Sequence, residues 1–123
     1  VKKTFAGREY IFVDGGMADN PRYALYKAKY EAALANKMNA DANTVYTVAG
    51  KCCESGDMLV MDTKLPKAEQ GDLLIVPSTG AYNYSMSSNY NRLPKLPVVF
   101  VKDGTSRLVI KGETLEDLIR QDI

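Results

Sequence analysis

The chain has 123 residues, of which 46% are apolar and 25% charged, and its net charge is +1. This length suits a single domain over residues 1–123, and the balanced charge argues against nucleic acid or an anionic membrane surface as a partner. No apolar run approaches the roughly 18 residues of a membrane span and no signal-peptide core is visible, so we expect a cytoplasmic protein.

The histidine and cysteine counts limit the possible chemistry. There is no histidine, which excludes Ser-His-Asp and Cys-His catalysis and removes the commonest transition-metal ligand. The two cysteines, Cys52 and Cys53, are neighbours. A disulfide between them would distort the backbone, and they cannot easily take adjacent corners of a zinc site. We therefore expect two reduced thiols and no metal site.

In the first third of the chain, residues 8–14 are rich in aromatic and β-branched side chains and stop at Gly-Gly, which predicts a buried strand. Asp19 or Asn20 as a cap, with Pro21 at the first helical position, predicts one or two helical turns reaching Tyr26. Residues 30–38 fit either a helix or a strand, and their composition favours a helix.

The rest of the chain is mainly β-prone. Short strands are predicted at residues 45–49, 58–61, 71–79, 98–102 and 107–111. Asp103-Gly104 predicts a hairpin between the last two, with a loop that can extend to residue 106. Thr114 and Asp117 form a capping-box pattern for a terminal helix over residues 115–120. Together these elements predict a mainly β fold, a sandwich or Greek-key-like open barrel with short helices.

Three short segments carry side chains suited to chemistry. Arg22 and Tyr26 are spaced i,i+4, so a helix would present a guanidinium and a phenol that can grip a carboxylate. Cys53 and Glu54 place a potential proton donor beside a carboxylate that could bind an ammonium group. Tyr82 follows a strand and a glycine, where backbone and phenol could approach a phosphate or a ring. By local sequence alone, each segment is more often an ordinary turn or packing loop.

Taken together and in this order, the segments DGGMADNPRYALY, AGKCCESGD and STGAYNYSMSSNYNR closely resemble the C-terminal region of diaminopimelate decarboxylases. These are fold-type III pyridoxal-phosphate enzymes of lysine biosynthesis, and the resemblance runs from about residue 8 to the C-terminus. Family members join an N-terminal (β/α)8 barrel, which holds the cofactor through a Schiff-base lysine, to a C-terminal β-sandwich. The chain resembles the sandwich only, so we expect the barrel to be absent from it and the 123 residues alone to be inactive.

The resemblance also implies roles for individual residues and a strand within residues 30–38. Arg22 would bind the distal carboxylate of meso-diaminopimelate, assisted by Tyr26. Cys53 and Glu54 would cross the interface of a homodimer into the partner's site, with Glu54 near the distal ammonium and Cys53 helping to reprotonate the substrate after carbon dioxide leaves. Tyr82 would lie against pyridoxal phosphate.

The expected function is that of the parent enzyme, which converts meso-2,6-diaminopimelate to L-lysine and carbon dioxide. One alternative is the equivalent domain of a related decarboxylase, such as one acting on ornithine or carboxynorspermidine. Ornithine has no distal carboxylate, so Arg22 favours diaminopimelate. A second alternative, from a different class, is a non-catalytic β-domain used for dimerisation or partner binding.

Overall fold

The computed structural model describes residues 2–123, and the fold in this range is mainly β with short helices, as predicted. The strands are β1 (Lys2–Phe5), β2 (Arg8–Phe12), β3 (Ala33–Leu34), β4 (Thr44–Ala49), β5 (Met58–Leu65), β6 (Leu74–Ile75), β7 (Val98–Lys102) and β8 (Thr105–Ile110). The α-helices are α1 (Arg22–Tyr26), α2 (Asn83–Met86) and α3 (Leu115–Ile119), and 3-10 turns cover Ala35–Lys37 and Tyr90–Arg92. Within this range no helix has the length and apolar character needed to cross a bilayer.

The largest sheet has the strand order β1-β2-β4-β5. β2 and β4 are parallel, whereas β1 pairs with β2 and β5 with β4 in antiparallel fashion. Because the carboxyl ends of parallel strands meet at one sheet edge, the chain leaves β2 and β4 at the same place. The pairing even continues beyond the strands, since the Lys51 N–H donates to the Gly15 carbonyl at 3.0 Å.

The hydrophobic core lies between this sheet and the small β3-β6 sheet. Its most deeply buried large side chains are Leu34, Tyr46 and Leu65, each no more than 2% exposed. Burying a side chain of this size contributes about 1.5–3 kcal/mol. The phenol of Tyr46 is also satisfied, because its oxygen accepts the Ala68 N–H at 3.2 Å.

Of two hairpin turns in the fold, one was predicted from the sequence and the other was not. Asp103 and Gly104 both have positive φ, 50° and 72°, as a type I′ turn requires, so the predicted hairpin is confirmed with the shorter, two-residue loop. Ala6 and Gly7 make a similar turn, with φ of 49° and 75°, between β1 and β2. Strand β1 was missed because alanine is not a residue typical of such turns.

Several predicted boundaries change. The helix favoured by composition over residues 30–38 is wrong; the strand implied there exists but is only β3, followed by a 3-10 turn. The strand predicted over residues 71–79 is confined to β6. Pro21 is the cap of α1, rather than its first helical residue. The capping box is confirmed, since the Thr114 hydroxyl accepts the Asp117 N–H and the Asp117 carboxylate accepts the Thr114 N–H.

Candidate functional site

Three loops meet at the edge where β2 and β4 end. We call residues 13–21, after β2, the first loop; residues 50–57, between β4 and β5, the second loop; and residues 80–92 the third loop. The three sequence segments that carry the resemblance lie on these loops and on α1. The parallel pairing of β2 and β4, whose partner residues are 37 positions apart, thus brings the first and second loops together.

The first and second loops are joined by the carboxylate of Asp57, which is only 2% exposed. One of its oxygens accepts the Met17 N–H at 2.6 Å and the other accepts the Cys52 N–H at 2.7 Å. A buried carboxylate needs such donors, and hydrogen bonds to a charged group are stronger than neutral ones. The sequence did not predict this contact, because Asp57 stands at the end of a polar loop and its partner Met17 lies 40 residues away.

Two glycines make room for this carboxylate. A Cβ on Gly50 would overlap the Asp57 carboxylate, and a Cβ on Gly16 would come within 2.9 Å of its Oδ2 atom. Real Cβ atoms do not approach neighbours so closely. Glycine is therefore required at both positions by close approach of the backbone to a buried side chain.

The third loop is tied to the other two by single hydrogen bonds. The Ser88 N–H donates to the Ala18 carbonyl in the first loop at 3.0 Å. The Cys53 N–H in the second loop donates to the side-chain oxygen of Asn91 at 2.6 Å. Asn91 has a left-handed backbone, with φ of 56°, a conformation that asparagine tolerates better than most residues. The sequence predicted no role for Asn91, because the residue acts through its hydrogen bond to the distant Cys53.

The C-terminal segment supports the third loop from outside. The guanidinium of Arg92 pairs with the Asp122 carboxylate at 2.7 Å. The Glu113 carboxylate accepts hydrogen bonds from the Lys95 N–H at 2.8 Å and from the Asn89 amide at 2.5 Å, and these donors lower the pKa of Glu113. The chain after β8 therefore helps to fix the loop that carries Tyr82 and Asn91.

Arg22, Tyr26 and Tyr82 belong to one surface region. The Arg22 guanidinium lies 5.1 Å from the centre of the Tyr82 ring, a cation–π distance. Tyr26, one turn further along α1, is 64% exposed, and Tyr82 is 65% exposed. Tyr82 also has a φ of 71°, a strained backbone conformation that is enriched at functional sites. A cation and two phenols are therefore available to a ligand.

Cys53 and Glu54 lie together on the exposed second loop. The Glu54 carboxylate accepts the Gly56 N–H at 2.9 Å and the Ser55 hydroxyl at 3.3 Å, so it folds back over its own loop. Within residues 2–123, no hydrogen bond or ion pair connects Cys53 or Glu54 to Arg22. The predicted residues thus lie on three elements: Arg22 and Tyr26 on α1, Tyr82 on the third loop, and Cys53 and Glu54 on the second loop.

The two cysteines differ in their surroundings. Both are free thiols, with Cys53 exposed and Cys52 half-buried. Burial raises the pKa of Cys52, and the nearby Asp57 carboxylate adds to this effect. Burial likewise raises the pKa of Asp19 in the first loop. Cys53 is therefore the accessible thiol. Among the described residues, no group of three or more cysteine and carboxylate side chains could hold a metal ion.

Comparison with known proteins defines the class. Residues 1–80 match the family model described as the pyridoxal-dependent decarboxylase, C-terminal sheet domain. The chain belongs to this family, and the resemblance read from the three motifs is confirmed.

The individual relatives are more specific. The chain is 59% identical over 116 residues to diaminopimelate decarboxylase of Halalkalibacterium halodurans and 56% identical over 116 residues to that of Bacillus subtilis. Each match covers 94% of this chain and 26% of the relative. The crystal structure of diaminopimelate decarboxylase from m. jannaschii in complex with L-lysine superposes with a TM-score of 0.90 at 32% identity, over 100% of this chain and 28% of that one. The chain thus spans about a quarter of the length of these relatives.

Proposed function

We propose that the protein carrying this domain decarboxylates meso-2,6-diaminopimelate to L-lysine and carbon dioxide with pyridoxal phosphate, as a cytoplasmic homodimer. The observation that carries the proposal is the meeting of the three loops, with Arg22 against Tyr82 and the Cys53-Glu54 pair on the adjoining loop. The relatives' printed name, diaminopimelate decarboxylase, supports the choice of substrate.

In the proposed enzyme, Arg22 and Tyr26 recognise the substrate. Diaminopimelate carries an amino-acid group at each end, so an enzyme that reacts at one end must recognise the carboxylate and ammonium at the other. The planar Arg22 guanidinium can bind that distal carboxylate through two parallel hydrogen bonds. The exposed Tyr26 phenol, one helical turn away, can donate a further one. Ornithine and carboxynorspermidine offer no such distal amino-acid carboxylate.

Glu54 and Cys53 complete the site across the dimer interface. Both lie on the exposed second loop, as a residue that reaches into a partner subunit must. The Glu54 carboxylate would pair with the distal ammonium. The Cys53 thiol would give its proton to the carbon atom that loses carbon dioxide, which is the role of a general acid.

The residues present fit one side of a cofactor site. The exposed ring of Tyr82, with a cation on it, can lie against a planar, anionic group such as pyridoxal phosphate. When bound, the cofactor accepts the electron pair that remains after carbon dioxide leaves. The Schiff-base lysine would belong to the barrel, in the part of the relatives that this chain does not span.

Binding of the distal carboxylate by Arg22 is tested with two substrates and the full-length protein. D-Lysine is meso-diaminopimelate without its distal carboxylate. Arg22→Ala should lower kcat/KM for diaminopimelate about 10- to 100-fold, because hydrogen bonds to a charged group are lost. The value of kcat/KM for D-lysine should not change. Arg8→Ala is the control, because Arg8 lies on β2 and pairs with Asp62 of β5 at 3.7 Å. An Arg22→Ala enzyme that keeps its selectivity would contradict the assignment.

The shared site is tested by mixing subunits. Arg22→Ala and Cys53→Ala homodimers should each be weakly active. If Cys53 acts in the partner's site and Arg22 in its own, each mixed dimer contains one site with both residues intact. Activity should therefore rise when the two variants are dissociated and reassembled together. No gain on mixing would argue against a site shared between subunits.

A further inference from the structure

We propose that Asp57 is a positioning residue that holds the first loop, which leads to Arg22, and the second loop, which carries Cys53, in one fixed arrangement. This inference rests on the proposed function. It assigns a role to a residue that touches neither substrate nor cofactor in that scheme and that acts only through the backbone of two loops.

The geometry indicates that Asp57 connects the first and second loops and does not simply pack in the core. Each Asp57 oxygen serves a different loop, since Oδ1 accepts the Met17 N–H and Oδ2 accepts the Cys52 N–H. Met17 lies five residues before Arg22, and Cys52 directly precedes Cys53. The same bonds therefore fix the start of the segment that leads to Arg22 and the backbone that presents Cys53.

The space around the carboxylate allows little adjustment. Gly16 and Gly50 approach so closely that a Cβ on either would press on the Asp57 carboxylate. The main chain of Asp57 is held as well, since its carbonyl accepts the Gly50 N–H at 2.9 Å. The Asp57 backbone is thus hydrogen-bonded and both carboxylate oxygens are engaged, so the side chain is held between the two loops.

Asp57→Asn is the informative substitution, because it keeps the shape and removes one acceptor. The asparagine oxygen can accept one of the two N–H groups, but its NH2 group then faces the other donor. One loop must lose its hydrogen bond, and the arrangement of the two loops is no longer fixed. If Asp57 held only one loop, the substitution would change either KM or kcat. Because Asp57 connects both loops, the substitution should change both constants.

The matched control is Asp72→Asn. Asp72 is also a well-covered carboxylate that accepts a backbone N–H, that of Glu69 at 2.8 Å, and it pairs with Lys37 at 2.8 Å. Its hydrogen-bond and ion-pair partners are Asn36, Lys37 and Glu69, none of which belongs to the three loops. Asp72→Asn should therefore lower stability without changing kcat or KM.

The experiment combines hydrogen exchange with kinetics on the full-length protein. In Asp57→Asn, the amides of the first and second loops should exchange at least tenfold faster. In addition, KM for diaminopimelate should rise and kcat should fall, with a combined loss of at least tenfold in kcat/KM. Gly16→Ala, which presses on the same carboxylate, should show the same pattern in milder form if Asp57→Asn fails to fold.

Two results would overturn the inference. One is unchanged exchange in either loop, which would mean that Asp57 does not join them. The other is faster exchange in both loops with unchanged kcat and KM, which would make Asp57 structural only. If the wild-type protein has no activity on diaminopimelate, the proposed function fails, and the exchange data still decide whether Asp57 joins the loops.

Discussion

The substitution Gly50→Ala tests the packing around Asp57 most severely. The new Cβ would overlap the Asp57 carboxylate, and this end of β4 cannot retreat freely, because the Gly50 N–H is bonded to the Asp57 carbonyl. Forcing extra volume into a packed interior costs about 1–3 kcal/mol, and a lost hydrogen bond to a carboxylate costs about 1.5–3 kcal/mol more. With one such bond lost, the free energy of unfolding should fall by roughly 2.5–6 kcal/mol.

The measurement is urea denaturation of the 123-residue chain, wild type and variant. Gly56→Ala, in the same loop, is the control. Its Cβ would meet only the end of the flexible Glu54 side chain, at 3.4 Å, so its unfolding free energy should change by less than about 1 kcal/mol. Equal stability of the Gly50→Ala and Gly56→Ala chains would refute the packing argument.

Further predictions concern the core, acid stability and thiol chemistry. Tyr46→Phe leaves the buried Ala68 N–H without its acceptor and should cost about 1–3 kcal/mol in urea denaturation; no change would argue against that bond. The pKa of Asp72 is lowered to about 2, chiefly by its ion-pair partner, so its stabilisation is complete above the unfolded value of about 3.9 and is lost as pH falls toward 2. Asp72→Asn should flatten the stability of the chain between pH 4 and pH 2, as followed by denaturation midpoints at each pH. Cys53 should be alkylated before the half-buried Cys52, whose pKa burial raises; mass spectrometry of iodoacetamide-treated chain showing Cys52 modified first would contradict this.

The motifs could be located from sequence, but their arrangement could not. Arg22, Cys53 and Tyr82 were selected because each stands in a short segment with its own recognisable pattern. The roles of Asp57 and Asn91 were missed because their partners lie 40 and 38 residues away. A carboxylate at the end of a polar loop gives no local sign that it is buried and bonded to another loop.

The errors in secondary structure have a similar cause. Residues 30–38 contain good helix formers, yet Ala33 and Leu34 pair with β6 and Leu34 is 2% exposed in the core. Burial and strand pairing therefore override a weak local preference. The hairpin at Asp103-Gly104 and the capping box at Thr114 were predicted correctly because both depend on neighbouring residues alone.

The most direct test of the proposed function is carbon dioxide release by the full-length protein with pyridoxal phosphate, measured separately on meso-diaminopimelate and on L-ornithine. We expect rapid release from diaminopimelate, little from ornithine, and a large drop in kcat for diaminopimelate in the Cys53→Ala variant. Preference for ornithine would indicate a related decarboxylase, and no release from either substrate would contradict the proposed activity and favour a non-catalytic role for this domain.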